Sequence, residues 1–467
     1  MIENEIIHLS DEIWGYAETG FEEEKSAEAM VKVLTNNGFE VTQGIDGMPT
    51  AYVGVYGSGR PVIDFLAEYD ALFGMNQTAD VPEFQPITNA EDTGHGCGHE
   101  LLGAGSIAAA ILCKEYLQRT KKQGTVRIVG CPAEESGSSK AYLARDGFFQ
   151  NTDVALTWHP GTINQVCTGS SQSCLGLFFK FHGVSAHAAA APFLGRSALD
   201  ACELMNVGVN YLREHIEPTE CIHYAYANAG GKAPNVVQSE AAVKYFIRSS
   251  TNEKCLALKE RVINCAKGAA LMTGTTMDIV FDEGLSNTIS NFALEKILLN
   301  AFKKEYHGDY TQEELAYAQC FKDTFDTEKI KDTVSPHVAD SQRLMENIND
   351  RPINDYIVEN IPNDNCTMGS TDVGDVSWVV PTEQINTACF SLGADAHSWQ
   401  WVAQGKSKIA HKGMLLAGRV LATAAQDMIE NPEKLEAVKD EFKKRLYDRQ
   451  YHCLIPDDIK PHISSAE

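Results

Sequence analysis

At 467 residues the chain is longer than one hydrophobic core usually supports, so we expect two domains. Hydrophobic residues make up 43% and charged residues 22% of the sequence, as in soluble globular proteins. The formal net charge of −25 argues against nucleic acid and anionic membranes as partners, because both are themselves negatively charged.

The sequence shows no sign of a targeting signal. Its N-terminus has no basic start followed by an apolar core, so we expect no signal peptide. No stretch approaches the ~18 uninterrupted apolar residues of a membrane helix. The 13 cysteines are scattered singly, which is typical of reduced thiols. We therefore expect a cytoplasmic protein with no membrane partner.

Helix and strand signals alternate over the first third of the chain. Amphipathic periodicity predicts one or two helices over roughly residues 3–38, and apolar runs at 50–57 and 61–72 predict strands. Residues 101–117 have apolar side chains at helical spacing. Further strand-like runs lie at 124–135, 154–160 and 385–399. This order predicts an α/β fold: a mostly parallel sheet with helices on both faces.

Several apolar runs end in side chains that bind metals or transfer protons. These side chains are Asp70, Glu134, Glu135, His159 and His397. Sites in parallel sheets collect outside the carboxyl ends of the strands, so we expect these residues to lie close together. The run GHGCGHE at 94–100 precedes a predicted helix, which places it on the same side of the sheet.

The middle of the chain has a different pattern. Two strand–helix–strand passes over 170–287 predict a smaller α+β domain inserted into the larger one. The predicted division is 1–169 for the first part of the catalytic domain, 170–287 for the insert and 288–467 for the second part. Residues 300–366 are rich in charge and helix formers, and no role follows from their sequence.

Cys97 and His99 lie two residues apart on a glycine-flanked loop. In an extended segment such residues point the same way, so both side chains can reach one cation or an adjacent pair. His95 either reaches a metal or orients a ligand. An isolated motif of this kind is as often a solvent-facing turn, because structural zinc normally shows a second ligand cluster.

The remaining candidates are weak alone and specific together. Glu134 and Glu135 suit two tasks, metal binding and general base catalysis, although a solvated turn is the simpler interpretation. His159 and His397, each taken alone, could be core histidines, which is the usual case for a single histidine. Together the candidates supply a thiolate, imidazoles and carboxylates, which suits two divalent cations about 3.5–4 Å apart that activate water for hydrolysis.

Six motifs carry a resemblance that runs nearly end to end. They are GHGCGHE, PAEESG, TWHPG, GVSAHAAAAP, GGKAPNVV and GSTDVGDVSW…HSWQWVAQGKSKIAHKGM. In this order they resemble the metallo-amidohydrolases of the aminoacylase and carboxypeptidase superfamily, and within it the group of B-type subunits of aminobenzoyl-glutamate hydrolase. The resemblance implies a two-metal site in the sheet domain and a dimer interface in the inserted domain.

The resemblance assigns roles to individual residues. Glu134 is implied as the general base, and the implied metal ligands are Cys97, His99, Glu135, His159 and His397. Many members of the superfamily end the early strand with His-x-Asp, whose histidine binds metal, whereas this chain has Glu68 there. The Cys97/His99 pair is expected to compensate, with Asp70 orienting a ligand.

The inserted domain supplies three further candidates by resemblance. His187 matches a histidine that reaches across the dimer to the substrate carbonyl, where it stabilises oxyanion charge. Asn235 and Arg248 match substrate-binding positions, and a guanidinium binds a carboxylate through two parallel hydrogen bonds. Apart from the motif order, a turn histidine, a turn asparagine and a surface arginine are all commonly structural.

The resemblance therefore predicts an amidohydrolase for N-acyl amino acids, with p-aminobenzoyl-glutamate as the favoured substrate. Mn²⁺ is favoured as the metal and Zn²⁺ is the alternative, because thiolate and imidazole suit zinc while carboxylate also suits manganese. A homodimer through the inserted domain is expected. A heteromer with a related subunit is the other possibility.

Two alternatives to this function stay open. One is a dipeptidase for β-alanyl or other basic dipeptides, because the same motifs serve both activities. A second cationic residue near Arg248 would favour glutamate, whereas an acidic residue there would favour a basic side chain. The other alternative is a non-catalytic metal-binding subunit. Retention of Glu134 argues against it, since a pure binder needs no base.

Overall fold

The computed structural model describes residues 2–326 and 338–461, and fourteen strands in these ranges form three sheets. In chain order the strands are β1 Glu40–Gln43, β2 Tyr52–Ser58, β3 Val62–Ala67, β4 Leu72–Phe73, β5 Thr93–Gly94, β6 Gly124–Gly130, β7 Val154–Gly161, β8 Asn164–Val166, β9 Ser173–His182, β10 Cys221–Asn228, β11 Glu240–Ser249, β12 Thr276–Leu285, β13 Ile357–Val358 and β14 Thr382–Ala388.

Thirteen α-helices lie in the same ranges. They are α1 Ile2–Tyr16, α2 Glu24–Asn36, α3 His99–Thr120, α4 Ser139–Arg145, α5 Ala198–Leu212, α6 Asn252–Thr273, α7 Phe292–Glu305, α8 Gln312–Lys322, α9 Ser341–Asp350, α10 Val373–Val379, α11 Trp399–Gln404, α12 Lys408–Glu430 and α13 Pro432–Leu446. None of these described helices has the length and apolarity needed to cross a membrane.

The larger sheet has the strand order β1-β2-β6-β3-β7-β14-β8-β13. Its four neighbours β6, β3, β7 and β14 run parallel, so their carboxyl ends lie along one edge. The side chains of β3 show why both faces are covered. Ile63 and Phe65 pack in a core with α3 and α12, whereas Leu66 packs in a core with α4 and α10. The predicted α/β class is confirmed.

The second sheet is antiparallel, with the order β10-β11-β9-β12. α5 and α6 cover one face of it and share a separate hydrophobic core with it. Both helices begin at a hydroxyl cap, Ser197 and Thr251, whose side chains accept a backbone N–H of the first turn. We call residues 173–285 the lid. The predicted α+β insert is present, and the boundaries 1–169, 170–287 and 288–467 stay predictions.

The stretch 300–366 partly falls outside the described residues, at 327–337. In its described part, α8 packs beside the segment that joins β4 to β5, where the Tyr317 hydroxyl donates to Asp80 Oδ1 at 2.8 Å. Phe321 of α8 also contacts Trp399, with 6.4 Å between ring centroids. α8 therefore contacts both the segment between β4 and β5 and the first residue of α11.

Glycines allow α3 to pack closely on its neighbours. A Cβ at Gly105 would lie 2.6 Å from Trp158 Cζ2, and a Cβ at Gly418 of α12 would lie 3.0 Å from the Gly105 carbonyl oxygen. Separations this short leave no room for a methyl group. The packing of α3 between β7 and α12 thus requires these glycines.

We expect Gly105→Ala to lower the free energy of unfolding by about 1–3 kcal/mol, because the added methyl group overpacks the core against Trp158. Thermal and urea unfolding measure the change. Gly268→Ala in α6 is the matched control, since its Cβ would have no neighbour within 4 Å. That control is expected to stabilise the protein by about 0.4–1 kcal/mol. Equal shifts in the two variants would contradict the packing argument.

Candidate metal centre

Polar side chains gather at the carboxyl edge of the four parallel strands. Asp70 follows β3, Glu134 and Glu135 follow β6, and His159 lies near the end of β7. His397 lies in the segment between β14 and α11. The structure therefore brings together the side chains that the strand pattern pointed to.

Two groups of donor atoms share one sulfur. Atoms of Cys97, His99 and His159 lie within 4.8 Å of one another, and Cys97, Glu135 and His397 form a second such group. Cys97 Sγ is 3.4 Å from His159 Nε2, and Glu135 Oε1 is 3.3 Å from His397 Nε2. Two overlapping groups of this kind suit a pair of cations, which in hydrolytic sites lie about 3.5–4 Å apart.

Neighbouring groups leave the donor atoms free for metals. Asp70 Oδ1 accepts a hydrogen bond from His99 Nδ1 at 2.8 Å, and Asp70 Oδ2 accepts the Glu135 N–H at 2.9 Å. The second ring nitrogen, His99 Nε2, is buried, makes no hydrogen bond with the described residues, and lies 3.3 Å from Glu68 Oε2. His159 Nδ1 lies 2.7 Å from the Pro160 carbonyl, which turns Nε2 towards Cys97. The donor set fits divalent metals, with Asp70 orienting two donors.

Unusual backbone conformations fix the two loops that carry donors. Gly98 has φ 80°, and a Cβ there would lie 2.7 Å from Pro160 Cγ, so the turn that starts α3 at His99 needs glycine. His397 also has a left-handed φ of 56°, which is uncommon outside glycine. Its N–H donates to the Gly96 carbonyl at 2.8 Å. This bond holds the His397 loop against the first loop.

His95 is buried away from both donor groups. Its Nε2 lies 3.1 Å from the Ile13 carbonyl and its Nδ1 lies 3.6 Å from Glu100 Oε2. Burial lowers the pKa of His95 to about 4 and raises the pKa of Glu100 to about 8, so both are neutral at pH 7. Sequence analysis missed Glu100. The orienting role expected of His95 stays a prediction, since its contacts are with Ile13 and Glu100.

Glu134 lies in a turn and not, as the sequence suggested, in a strand. β6 ends at Gly130, and Ala133 has a left-handed φ of 55°. The turn directs Glu135 towards Cys97 and Glu134 towards Glu68 and His99, whose donor atoms lie within 4.8 Å of one another. Burial, followed by the negative charges of Glu68 and Asp372, raises the pKa of Glu134 well above its ordinary value. Such a carboxylate is suited to take up a proton.

Lys140 and Asp372 are neighbours of this cluster that sequence analysis missed. Lys140 Nζ lies 2.9 Å from Glu68 Oε1 and 2.5 Å from Asp372 Oδ1, and all three side chains are buried. Burial alone would raise the pKa of Glu68, but Lys140 and His99 lower it below its ordinary value. Glu68 is thus an ion-pair partner of Lys140 through Oε1, and its Oε2 faces His99.

The lid candidates fall in two places. His187 and Asn235 are exposed on paired loops, joined by the Ala188 N–H and the Asn235 carbonyl at 3.0 Å. Within the described residues neither belongs to the donor groups. Arg248 is half-buried, lies 5.6 Å from the Phe246 ring, and its Nε has no hydrogen-bond partner among the described residues. The substrate-binding roles of Asn235 and Arg248 stay predictions.

The chain matches peptidase family M20/M25/M40 over residues 65–400. It is 39% identical over 461 residues to the B-type subunit of p-aminobenzoyl-glutamate hydrolase of Escherichia coli (strain K12), a match that covers 97% of this chain and 95% of that protein. The chain belongs to peptidase family M20/M25/M40. The resemblance found in the sequence is confirmed, and membership of the family makes the chain a metal-dependent hydrolase of peptide-like amide bonds.

Two further similarities agree with membership of this family. The chain is 28% identical over 456 residues to Xaa-Arg dipeptidase of Mus musculus, and this match covers 95% of this chain and 90% of that protein. The structure of an aminobenzoyl-glutamate utilization protein from Klebsiella pneumoniae aligns with a TM-score of 0.59 at 16% identity, covering 90% of this chain and 95% of that chain. At that identity the structural likeness shows the fold alone.

We expect Asp70→Asn to weaken divalent metal binding about 10–100-fold, because the charged acceptor that orients His99 is lost. Competition between the protein and a chromophoric chelator for Mn²⁺ measures the affinity. Asp64→Asn on β3 is the control, since the Asp64 carboxylate is buried against Arg127. The control is expected to lose stability and keep its metal affinity. Equal metal affinity in both variants would contradict the role of Asp70.

Proposed function

We propose that this chain hydrolyses the amide bond of an N-acyl amino acid with the help of two divalent metals. The observation that supports the proposal is Glu134, partly buried and with a raised pKa, beside two donor groups that share Cys97. In the proposed site Asp70 and His95 orient the ligands, and the metal ligands are Cys97, His99, Glu135, His159 and His397.

The donor set suits more than one metal. When bound, the metals supply Lewis acidity that lowers the pKa of water and polarises the amide carbonyl. The sulfur of Cys97 and the three imidazoles suit Zn²⁺, whereas the carboxylate of Glu135 also suits Mn²⁺. We favour Mn²⁺ because of the resemblance to the hydrolase group described above, with Zn²⁺ as the alternative.

Proton transfer falls to Glu134 in this mechanism. Its carboxylate accepts a proton from the attacking water and later returns it to the leaving nitrogen of the amide. His187 of the partner subunit donates a hydrogen bond to the oxygen that becomes negative as the amide carbon turns tetrahedral. Asn235 helps to hold the substrate from the same lid surface.

The favoured substrate is p-aminobenzoyl-glutamate, cleaved to p-aminobenzoate and glutamate. The 39% identity to the B-type subunit of p-aminobenzoyl-glutamate hydrolase supports it. Arg248 supports it physically, because its unpartnered Nε is free to join a two-pronged contact with a carboxylate. A net charge of −25 does not oppose an anionic substrate, since nearby cations decide the potential in a pocket.

A basic dipeptide is the second candidate, and Glu283 favours it. Arg248 pairs with Cys174 and Glu283 with Gly176, two residues apart on β9, so both side chains lie on the same face of the lid sheet. Burial, followed by Asp282, raises the pKa of Glu283 to about 7. An acidic neighbour of Arg248 suits a basic substrate group, and Xaa-Arg dipeptidase is a relative.

We expect Glu134→Gln to lower kcat about 10²–10⁴-fold with unchanged metal content, because the base is lost and the ligands are kept. Glutamate release from p-aminobenzoyl-glutamate by Mn²⁺-loaded protein measures the rate, beside a panel of basic dipeptides. Glu295→Gln, at a buried glutamate outside the donor groups, is the control. Near-normal turnover by Glu134→Gln would overturn the assignment of the base. If the wild-type protein hydrolysed the dipeptides but not p-aminobenzoyl-glutamate, a basic dipeptide would become the favoured substrate.

The lid is the proposed site of dimerisation. β10 forms an edge of the lid sheet and exposes Tyr224 and Tyr226, and α5 exposes Val207 and Tyr211 beside them. An exposed apolar surface next to an open strand edge suits pairing with a second chain. A homodimer is the favoured assembly, and a heteromer with a related subunit is the alternative.

The thiols support the proposed cytoplasmic location. All thirteen cysteines fall within the described residues and all are free. Unpaired cysteines in this number are typical of a reducing compartment. The metal donor Cys97 also needs a reduced sulfur, because the thiolate is the form that binds metal.

We expect a mixture of His187→Ala and Glu134→Gln chains to regain activity that neither variant has alone. If His187 acts across the dimer, each mixed dimer has one complete site, and an equal mixture reaches about one quarter of wild-type activity. The variants are co-unfolded, refolded together and assayed, with separately refolded variants as controls. A mixture no more active than its components would contradict a role for His187 across a homodimer.

A further inference from the structure

Lys140 is a fully buried cation beside the proposed base. Its Nζ contacts Glu68 Oε1 at 2.9 Å and Asp372 Oδ1 at 2.5 Å, and its backbone N–H donates to Asp372 Oδ2 at 2.9 Å. None of the three side chains is more than 3% exposed. The ammonium is therefore shielded from water, and the carboxylates of Glu68 and Asp372 take the place of its hydration shell.

Glu134 shares this buried region. Its carboxylate oxygen, an oxygen of Glu68 and a ring nitrogen of His99 lie within 4.8 Å of one another. Glu68 thus lies between Glu134 and the ammonium, which Asp372 also contacts. At low dielectric, neighbouring carboxylates repel each other strongly. The positive charge of the ammonium offsets this repulsion and so stabilises the positions of the carboxylates.

Asp372 also connects the cluster to the lid. It immediately precedes α10, and one turn later Asp375 accepts the Ser286 N–H at 2.9 Å and the Ser286 hydroxyl at 2.6 Å. Ser286 directly follows the last strand of the lid. The contact between Lys140 and Asp372 is therefore anchored to the segment by which the chain leaves the lid.

Stability alone does not account for this arrangement. Replacing a buried ion network by apolar residues is often neutral or stabilising, whereas removing one partner is strongly destabilising. The charges lie next to the proposed base, so they can affect the position of Glu134.

We propose that Lys140 is a positioning residue for amide hydrolysis, whose ammonium balances Glu68 and Asp372 and so keeps the Glu134 carboxylate in place. This inference rests on the proposed role of Glu134 as the base. Lys140 contacts Glu68 and Asp372 and belongs to neither donor group, so it acts through the charge and position of these neighbours.

In the metal-loaded enzyme, Lys140→Met is expected to lower kcat about 100-fold, the loss typical of a misplaced catalytic group. KM is expected to change less than about threefold and metal content to stay at the wild-type level, because the donor set is intact. Lys322→Met is the matched control. Lys322 is also buried, in α8, and contacts the carbonyls of Asn349 and Arg351.

The double variant Lys140→Met/Glu68→Gln removes one charge of each sign. It is therefore expected to fold even if Lys140→Met alone does not fold. Relief of the repulsion is expected to restore about tenfold of the lost kcat, a coupling that a double-mutant cycle measures. Kinetics, metal analysis and thermal unfolding are recorded on each variant.

A kcat within threefold of wild type in the single or double variant, at full metal content, would overturn the proposal. So would an equal loss in Lys322→Met, or a loss of kcat that follows a loss of metal. The proposed function fails separately, through an active Glu134→Gln enzyme. An inactive Glu134→Gln beside a fully active Lys140→Met would remove only the role of Lys140.

Discussion

The arrangement of four neighbouring parallel strands is the constraint on which the candidate site depends. Because β6, β3, β7 and β14 run in the same direction, the residues that follow them meet at one edge. Helices cover both faces of these strands, so the open edge beyond their carboxyl ends is where polar side chains can gather as a site. Asp70, Glu135 and His159 reach one place from three separate parts of the chain for this reason.

Buried charge is the second organising feature, and it links the sheet to the lid. The short helix α10 follows Asp372, which pairs with Lys140, and carries Asp375, which binds Ser286 at the end of the lid. One short helix therefore joins the charged cluster to the segment by which the chain leaves the lid.

The sequence predicted the parts of the site that local patterns reveal. Strand-end residues such as His159 follow apolar runs, and the Cys97 loop is marked by its glycines. Contacts between distant residues carry no such mark. Lys140 and Asp372 are 232 positions apart, and nothing in the periodicity of α4 indicates which carboxylate meets its lysine. The turn at Glu134 was missed because a left-handed Ala133 is not encoded by any usual turn residue.

Sharing Cys97 between the two donor groups has a redox consequence. Its sulfur lies within reach of all four other donors, and its side chain is only partly buried. Conversion of that thiolate to sulfenic acid would withdraw one donor from both groups in a single event. Oxidation of this one sulfur by peroxide would therefore disturb both groups together, and its reduction would restore both.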